Sequence, residues 1–327
     1  MKRKVFFIGP VPPPVGGVSN HIVRMMSKIS ITDDIECAVL DIGRMKFFDQ
    51  NLVRKNIFYA MTYFLSADII HLHINHKWKV GIGIISKVFN KKLIYTRHNL
   101  HTSDLKSATL LHKMADAAIF VSTPSFDTID QKTKLIPAFI SSEKISELNV
   151  QLKAVLNKYK TIIAAISTHP AKKPALLNGK DLYGFDMLLE AYENLIIENA
   201  LLILLDPACA MKNVYKSKVE SLNNSGKDVM YLTDNIDFSA LTKYLTLYVR
   251  PTLMDGDSLA IRESLEAGVK VIASDSVKRP DGVQLFKIND VNSLLENLQK
   301  LINAPIIPPQ RQPDFSVQIL DLYRNFF

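Results

Sequence analysis

The chain has 327 residues, of which 47 % are hydrophobic and 22 % are charged, a composition that indicates a folded globular protein and excludes a disordered one. Its net charge of +8 falls in the first half: residues 1–150 carry 20 Lys and Arg against 12 Asp and Glu, and residues 151–327 carry 20 of each. A basic half suits an anionic partner such as a phosphate-bearing substrate or an acidic membrane, although a lysine-rich solvent face explains the same excess. Nucleic acid is disfavoured, because no nucleic-acid-binding motif is present.

The cysteines and the N-terminus indicate a cytoplasmic protein. Cys37 and Cys209 are far apart and form neither a disulfide framework nor a metal-binding motif. The first apolar run is about five residues, too short for a signal peptide. No segment approaches the ~20 apolar residues of a membrane span.

Strand-like segments alternate with helical ones through the first half. KVFFIGP predicts a buried strand, and Ile22, Met25, Met26 and Ile29 then recur at helical spacing. Further strands are predicted at ECAVLDIG, ADIIHLHI, KKLIYTRHN, ADAAIFVS and TKLIPAF, with a helix at WKVGIGIISKVF. Strands separated by helices predict a mainly parallel sheet.

A second α/β unit follows a polar helical segment near residues 140–156. It comprises predicted strands at TIIAAIS, ALLILL, DVMYLT, LTLYVRP and VKVIASD and predicted helices at GFDMLLEAYENLI and SLAIRESLEA. We expect two Rossmann-like domains of an α/β protein, 1–147 and 148–312, that face each other across a cleft. The tail 313–327 has helical spacing and could pack back on the first domain. Ligands bind at the carboxyl ends of the strands in such sheets, so motifs that directly follow strands are the candidates.

The first such motif is GPVPPPVGGVSNHIVRM, residues 9–25. Gly16 and Gly17 stand before the first predicted helix, whose N-terminus attracts phosphate, and glycine lets a ligand approach the backbone closely. The prolines stiffen the loop. A rigid turn without a ligand fits the same residues. The motif is not G-x-G-x-x-G, which argues against a dinucleotide-dependent dehydrogenase.

Histidines follow the third and fourth predicted strands. His71, His73 and His76 lie in HLHINHKWK, without a carboxylate or cysteine at ligand spacing, so we expect cleft-lining histidines and no metal. In YTRHNLH the polar group comprises Arg97, His98, Asn99 and His101. Its position at a strand end favours a site over a solvated loop, and a histidine there can bind a hydroxyl or accept a proton.

The most informative segment is LYVRPTLMDGDSLAIRESLEAGVKVIASD, residues 247–275. Ser258 is placed to cap a helix that Gly268 ends. Asp255 and Glu263 are eight residues apart, so they are interpreted as separate acceptors for ligand hydroxyls rather than a catalytic pair, with the helix N-terminus holding phosphate between them. The helix is too apolar to be only a charged surface helix.

These features together resemble the retaining GT-B glycosyltransferases of family 4. The resemblance covers nearly the whole chain and is most specific in RPTLMDGDSLAIRESLEAGVKVIASD, with a second match in YGFDMLLEAY at 183–192. It implies transfer of a sugar from a nucleotide-diphosphate sugar to an acceptor hydroxyl with retention, without a metal, a cofactor or an enzyme nucleophile. The acceptor is expected to be a saccharide or lipid-linked saccharide in bacterial surface polysaccharide or lipid-linked oligosaccharide synthesis, reached by peripheral contact with an anionic membrane.

The resemblance also implies roles for individual residues. Asp255 and His98 lie near the transferred sugar, and Glu263 contacts the nucleotide ribose. Alanine at Asp255 or Glu263 is then expected to abolish transfer and leave the fold intact. The remaining donor-side residues are Gly16, Gly17, Lys180, Tyr183, Asp257, Ser258 and Leu259, and the acceptor-side residues are Asn20, His73, Arg97 and Asn99.

The sequence departs from the family pattern where the donor diphosphate is usually bound. No Arg follows the first strand of the second domain, in AAISTHPAKKP, and Tyr183 stands where a Lys usually precedes Gly184. Lys180, or Lys172 and Lys173, are the candidate replacements. The departure supports an alternative, a non-catalytic nucleotide-sugar-binding partner of the same fold. A nucleotide-sugar epimerase is a further alternative.

Overall fold

The computed structural model describes residues 2–13, 16–74, 78–98, 105–122, 130–142, 146–167 and 174–327. The chain divides into two compact α/β units. The first contains Gly17–Ser141 with the N-terminal strand and the C-terminal segment Pro313–Phe327, and the second contains Ser142–Gln312. Among the described helices, none combines the length and the apolar character needed to cross a bilayer.

The first unit is built on a sheet ordered β4-β3-β2-β1-β5-β6-β7-β8, with β3 and β4 antiparallel at one edge and the other strands parallel. Leaving out the two edge strands, the strands pair in the doubly wound order 2-1-3-4-5-6, so the chain reverses its winding between β1 and β5. The strands are β1 Arg3–Ile8, β2 Ile35–Asp41, β3 Lys46–Asp49, β4 Arg54–Lys55, β5 Ile69–Leu72, β6 Lys92–Arg97, β7 Ala117–Phe120 and β8 Thr133–Leu135.

The second unit is built on a parallel sheet ordered β13-β12-β9-β14-β15-β16. In chain order this is 3-2-1-4-5-6, and the reversal lies between β9 and β14. A small hairpin joins β10 to β11. The strands are β9 Thr161–Ile166, β10 Leu176–Leu177, β11 Lys180–Asp181, β12 Ala200–Leu205, β13 Asp228–Leu232, β14 Leu247–Arg250, β15 Lys270–Ser274 and β16 Val283–Phe286.

Helices cover both faces of each sheet because neighbouring strand residues point to opposite faces. The helices are α1 Gly17–Ser30, α2 Ile57–Ser66, α3 Trp78–Val88, α4 Leu105–Met114, α5 Val150–Leu156, α6 Phe185–Asn194, α7 Lys212–Asn224, α8 Phe238–Thr242, α9 Leu259–Glu266, α10 Val291–Ile302 and α11 Ser316–Arg324. In the first unit Val5 and Phe7 pack beneath α1 and α11, and Phe6 and Ile8 pack with α2 and α4 on the other face. In the second unit one face packs on α6, α7 and α10 and the other on α5, α8 and α9.

The C-terminal helix α11 is part of the core of the first unit. Ile319 and Tyr323 are buried in it, and the Tyr323 hydroxyl lies 2.6 Å from His71 Nδ1. Asp314 fixes the start of the helix by accepting hydrogen bonds from Ser141 Oγ and the Ser316 backbone N–H. Burial would raise the pKa of this carboxyl, but those hydrogen bonds and one from Lys28 outweigh burial and lower it to about 2.

Candidate functional site

The winding reversal in the second sheet is bridged by one arginine. Arg250 is the last residue of β14, and its Nη1 donates to the carbonyl oxygen of Ile166 at 3.0 Å. Ile166 is the last residue of β9, so the guanidinium spans the carboxyl ends of the two strands at which the winding reverses. Open α/β sheets bind their ligands at this point.

Asp255 joins Arg250 to a second arginine, Arg279, which follows β15. Asp255 Oδ1 accepts from Arg250 Nη2 at 2.8 Å, and Oδ2 accepts from Arg250 Nε at 3.0 Å and from Arg279 Nη1 at 2.6 Å. Arg279 is anchored further by donating to the carbonyl oxygen of Ser274 at 3.2 Å. We call these three residues the Arg–Asp–Arg cluster.

The Arg–Asp–Arg cluster places one net positive charge in a buried position. The side chains of Arg250, Asp255 and Arg279 are 8 %, 7 % and 2 % exposed. Burial would raise the pKa of the Asp255 carboxyl, but the charges and hydrogen bonds of the two arginines outweigh burial and hold that pKa well below its usual range. One carboxylate therefore neutralises one of two guanidinium groups, and the remaining charge suits an anion.

This geometry corrects one expectation from the sequence. Removing one partner of a buried ion pair costs about 3–5 kcal/mol, because the other charge is left uncompensated. Alanine at Asp255 leaves two buried guanidinium groups without their carboxylate, so it is expected to destabilise the second unit rather than leave the fold intact. Its predicted contact with the transferred sugar stays a prediction.

Helix α9 begins four residues after Asp255 of the Arg–Asp–Arg cluster. Ser258 is its N-cap residue with extended backbone angles, and its side chain makes no capping hydrogen bond within the described part of the chain. Leu259 is the first helical residue, and Glu263 lies one turn later and is buried. Asp257 accepts from Arg262 Nε at 2.9 Å, an ion pair that holds the loop against the helix. A helix start with this loop can bind phosphate through its backbone N–H groups.

The loop before α6 packs against the loop after β14. The Arg250 guanidinium lies 5.4 Å from the centre of the Tyr183 ring, so Tyr183 supplies an aromatic wall to the Arg–Asp–Arg cluster. Gly184 has a φ of 69°, and a Cβ added there would lie 2.2 Å from the carbonyl oxygen of Pro251. Lys180 is exposed and its Nζ donates to Asn289 Oδ1 at 2.9 Å. Its predicted contact with the donor diphosphate stays a prediction.

The proline-rich loop of the first unit is held by an ion pair. Arg44 Nε donates to Asp41 Oδ2 at 2.7 Å, and Arg44 Nη2 donates to the carbonyl oxygen of Val11 at 2.7 Å. Gly16 precedes α1 and Gly17 begins it, and a Cβ added at Gly17 would meet no atom within 4 Å among the described residues. Asn20 lies in the first turn and is half-buried.

The histidines at the ends of β5 and β6 lie together and are buried. His73 Nδ1 is 2.9 Å from His98 Nε2, and the ring of His21, from α1, lies 5.1 Å from the ring of His98. Desolvation by burial lowers the pKa of His21 to about 4 and those of His73 and His98 well below their usual value. These imidazoles are therefore neutral near pH 7. Arg97, the last residue of β6, immediately precedes His98 in the sequence and is buried.

Three residues of the Arg–Asp–Arg cluster and of the group of buried histidines were not predicted from the sequence. Arg250 ends β14 and Arg279 follows β15, and these positions at the carboxyl ends of successive strands are the signal that could have identified them. His21 lies in the first turn of α1 and had no such signal, because a helix from elsewhere in the chain brings it to the strand ends. Asn99 lies outside the described residues, as do the other candidates His76, His101, Lys172 and Lys173.

Comparison with known proteins rests on structure, since no protein-family model and no curated protein matches the chain. HepE from Anabaena in complex with UDP-glucose matches with a TM-score of 0.66 at 14 % identity, covering 92 % of this chain and 90 % of that one. Sucrose-phosphate synthase from Thermosynechococcus elongatus matches with a TM-score of 0.67 at 15 % identity, covering 100 % and 99 %. A Listeria monocytogenes protein described as a UDP-N-acetylglucosamine 2-epimerase matches with a TM-score of 0.64 at 13 % identity, covering 99 % and 96 %.

These likenesses show the fold. The neighbours include GT-B glycosyltransferases, and the chain has their architecture of two Rossmann-like domains. The resemblance inferred from the sequence is confirmed at that level, and the assignment to family 4 stays a prediction.

Gly184 and Gly17 offer a matched pair of substitutions. Gly184→Ala should lower the free energy of unfolding by at least about 1–3 kcal/mol, because it places a side chain at a positive φ and against the Pro251 carbonyl. Gly17→Ala should leave stability unchanged or slightly raised, since alanine favours the helix and meets open space. Urea unfolding of both variants checks this. Equal stability of the two variants would contradict the packing described for Gly184.

Proposed function

We propose that the chain is a retaining glycosyltransferase that moves a sugar from a nucleoside-diphosphate sugar to an acceptor hydroxyl. The observation that carries the proposal is the Arg–Asp–Arg cluster at the winding reversal of the second sheet, followed directly by the start of α9. A buried net positive charge and a helix N-terminus in one loop region are complementary to a diphosphate. The structural likeness to HepE bound to UDP-glucose supports a sugar nucleotide as the ligand.

Charge stabilisation is the main chemical contribution of this site. As the glycosidic bond of the donor breaks, negative charge develops on the leaving diphosphate. Arg250, Arg279 and the N–H groups of Ser258 and Leu259 are fixed before the reaction, so they stabilise that charge without reorganisation. No enzyme nucleophile is needed, because the acceptor attacks on the face that the diphosphate leaves and the departing phosphate takes the acceptor proton. The two arginines supply the positive charge that the usual family Arg and Lys would provide.

The other donor-side residues have supporting roles in this proposal. Glu263 accepts hydrogen bonds from the nucleotide ribose, and Tyr183 keeps the guanidinium of Arg250 in place. Asp255 acts chiefly by orienting the two arginines, since both of its oxygens accept hydrogen bonds from them. Asp257 positions the loop through its ion pair with Arg262.

The first unit is proposed to bind the acceptor. The polar groups at the carboxyl ends of its strands include the buried side chains of His73, Arg97 and His98. Asn20, in the first turn of α1, is proposed for the acceptor side, whereas the donor-side roles of Gly16 and Gly17 stay predictions. A Cβ added at Gly17 would meet no atom within 4 Å among the described residues, which leaves room for a ligand. We propose a saccharide or lipid-linked saccharide as the acceptor, in surface polysaccharide or lipid-linked oligosaccharide synthesis.

Glu263→Gln tests the transferase with little change of shape. A panel of nucleoside-diphosphate sugars is first screened by thermal shift, because a bound donor raises the melting temperature of the folded chain. With the donor so found, Glu263→Gln should lower kcat/KM about 10- to 100-fold, since a hydrogen bond to a charged group contributes about 1.5–3 kcal/mol. Glu266→Gln, at the other end of α9, is the control and should retain activity. Full activity of Glu263→Gln with every donor would overturn the assignment.

The same assay distinguishes the transferase from two alternative functions. The Listeria neighbour favours an epimerase as the second candidate, and an epimerase would convert the donor sugar without any acceptor and without net release of the diphosphate. A non-catalytic partner of the same fold would bind a nucleoside diphosphate and release no sugar. The transferase instead requires release of the nucleoside diphosphate that depends on an added acceptor.

Helices α2 and α3 carry an exposed apolar surface that suits a membrane. On α2 the exposed side chains Ile57, Phe58, Met61 and Leu65 share one face, and Phe58 is 73 % exposed. The two helices adjoin at the contact of Phe64 with Phe89, whose ring centres are 5.8 Å apart. The exposed side chains on and just after α3 are Trp78, Ile84, Ile85, Val88 and Phe89.

The basic sequence around these helices favours an anionic membrane. Residues 51–92 contain seven Lys and Arg and one acidic residue, Asp68; of the basic residues, Lys79 is buried, and Lys87 and Lys92 pair with Asp116. A basic residue near an anionic lipid surface contributes about 1 kcal/mol, and apolar side chains that enter the interface add to it. We therefore propose that the first unit docks at the cytoplasmic face of a membrane through α2 and α3.

Phe58→Ser combined with Met61→Ser tests this docking surface. Sedimentation with phosphatidylglycerol vesicles at low salt should show at least tenfold weaker binding of the double variant, because burying each apolar side chain contributes about 1.5–3 kcal/mol. Ile196→Ser is the control, since Ile196 is 94 % exposed in the second unit and outside this surface. Binding of the wild type should fade at high salt. No sedimentation of the wild type with acidic vesicles at low salt would contradict the proposal.

A further inference from the structure

Three buried histidines of the first unit lie together, and two of them, His73 and His98, are among the proposed acceptor-side residues. His21 comes from α1, His73 follows β5 and His98 follows β6, and their exposed fractions are 1 %, 3 % and 7 %. Each offers one ring nitrogen, and these three atoms lie within 4.8 Å of one another. We call the three residues the histidine cluster.

The hydrogen bonds of the histidine cluster leave buried ring nitrogens without a partner among the described residues. His21 Nδ1 is 2.7 Å from the carbonyl oxygen of Ala138, so Nδ1 carries the proton and Nε2 is an unprotonated acceptor. Nε2 of His21 and Nε2 of His73 find no hydrogen-bond partner among the described residues. A buried acceptor without a partner costs about 1–3 kcal/mol, so the unprotonated Nε2 of His21 indicates that a ligand supplies what is missing.

The surroundings match those of a metal-binding histidine. Metal-ligating imidazoles usually donate their other ring N–H to a carboxylate or a backbone carbonyl, as His21 does to Ala138. The form of imidazole that binds a metal is the neutral one, through its unprotonated ring nitrogen. The neighbouring His71 is excluded, because its two ring nitrogens are paired with Tyr323 and Thr96.

The backbone at Gly9 lies very close to the side chains of His73 and Ile22. A Cβ added at Gly9 would lie 2.9 Å from His73 Cβ and 2.6 Å from Ile22 Cδ1, so only glycine lets β1 and α1 meet His73 here. In a tetrahedral zinc site the ligand nitrogens are about 3.3 Å apart, given Zn–N bonds of about 2.0–2.1 Å. His73 Nδ1 and His98 Nε2 share a hydrogen bond of 2.9 Å, a separation near this value, so an ion could replace the shared proton with His73 Nδ1, His98 Nε2 and His21 Nε2 as its ligand atoms.

We propose that His21, His73 and His98 bind a divalent transition metal ion, with Zn²⁺ as the ion that suits three neutral imidazoles. Three protein ligands leave a fourth position for water or for a ligand oxygen. The inference goes beyond the proposed function and does not depend on it, because the metal is measured directly rather than through transfer.

The experiment uses the full chain, purified without a polyhistidine tag and treated with a chelator that is then removed. Titration with Zn²⁺, followed by calorimetry and elemental analysis after desalting, should give about one ion per chain. His21→Gln and His73→Gln should each weaken binding more than about tenfold, since each removes one of three ligands. His112→Gln is the matched control, because His112 is a buried histidine of the same unit that contacts Asp130 instead of the cluster. It should bind like the wild type.

A second measurement on the wild type covers the case in which a variant fails to fold. Co²⁺ replaces Zn²⁺, and its visible spectrum should show a four-coordinate nitrogen and oxygen site without the sulfur charge-transfer band that Cys37 or Cys209 would give. The proposal is overturned if the wild type binds no stoichiometric Zn²⁺ or if the spectrum shows thiolate ligands. Folded His21→Gln and His73→Gln variants that bind Zn²⁺ as tightly as the wild type overturn it equally.

Discussion

The second unit depends on a carboxylate that is shared between two buried guanidinium groups. Burying Arg250 and Arg279 is unfavourable unless a negative charge compensates them, and Asp255 provides it through three hydrogen bonds. Asp255 carries one negative charge and the two arginines carry two positive charges. The second unit therefore retains one buried positive charge at the carboxyl end of its sheet. Arg250 also bonds the last carbonyl of β9, which places that charge where the winding of the sheet reverses. The loop, the start of α9 and the wall formed by Tyr183 are arranged around this cluster.

Both sheets place candidate functional side chains at the point where the winding reverses, but the side chains differ. In the second unit the winding reversal carries arginines, and in the first unit it carries the proline loop after β1 and His73 after β5. Charged groups that are fixed in place stabilise an anion, whereas neutral imidazoles with bare lone pairs suit a metal ion or a hydroxyl. The difference follows from the partners: a carboxylate pairs with the two guanidinium groups, whereas burial lowers the pKa of the histidines and no carboxylate pairs with them among the described residues.

Much of the architecture could be predicted from the sequence, because buried parallel strands such as TIIAAI and ALLILL are continuous apolar runs and the helices between them have regular spacing. The antiparallel strands Lys46–Asp49 and Arg54–Lys55 were missed, since short half-buried edge strands have no such run. Asp255, Ser258 and Glu263 could be proposed from the sequence because they lie in one continuous segment, and their roles stay predictions. Arg279 was missed although it follows a strand, and His21 was missed because only the folded chain brings it to its partners.

The most direct test of the central claim is calorimetric titration of nucleoside diphosphates into the wild type and into Arg279→Met, a variant that keeps the pairing of Asp255 with Arg250. The account predicts that Arg279→Met stays folded and binds a nucleoside diphosphate at least about tenfold more weakly, while binding of the corresponding nucleoside changes little, because the net positive charge of the cluster has been removed. Equal affinity of the two proteins for the diphosphate would contradict the claim that this buried charge binds the donor.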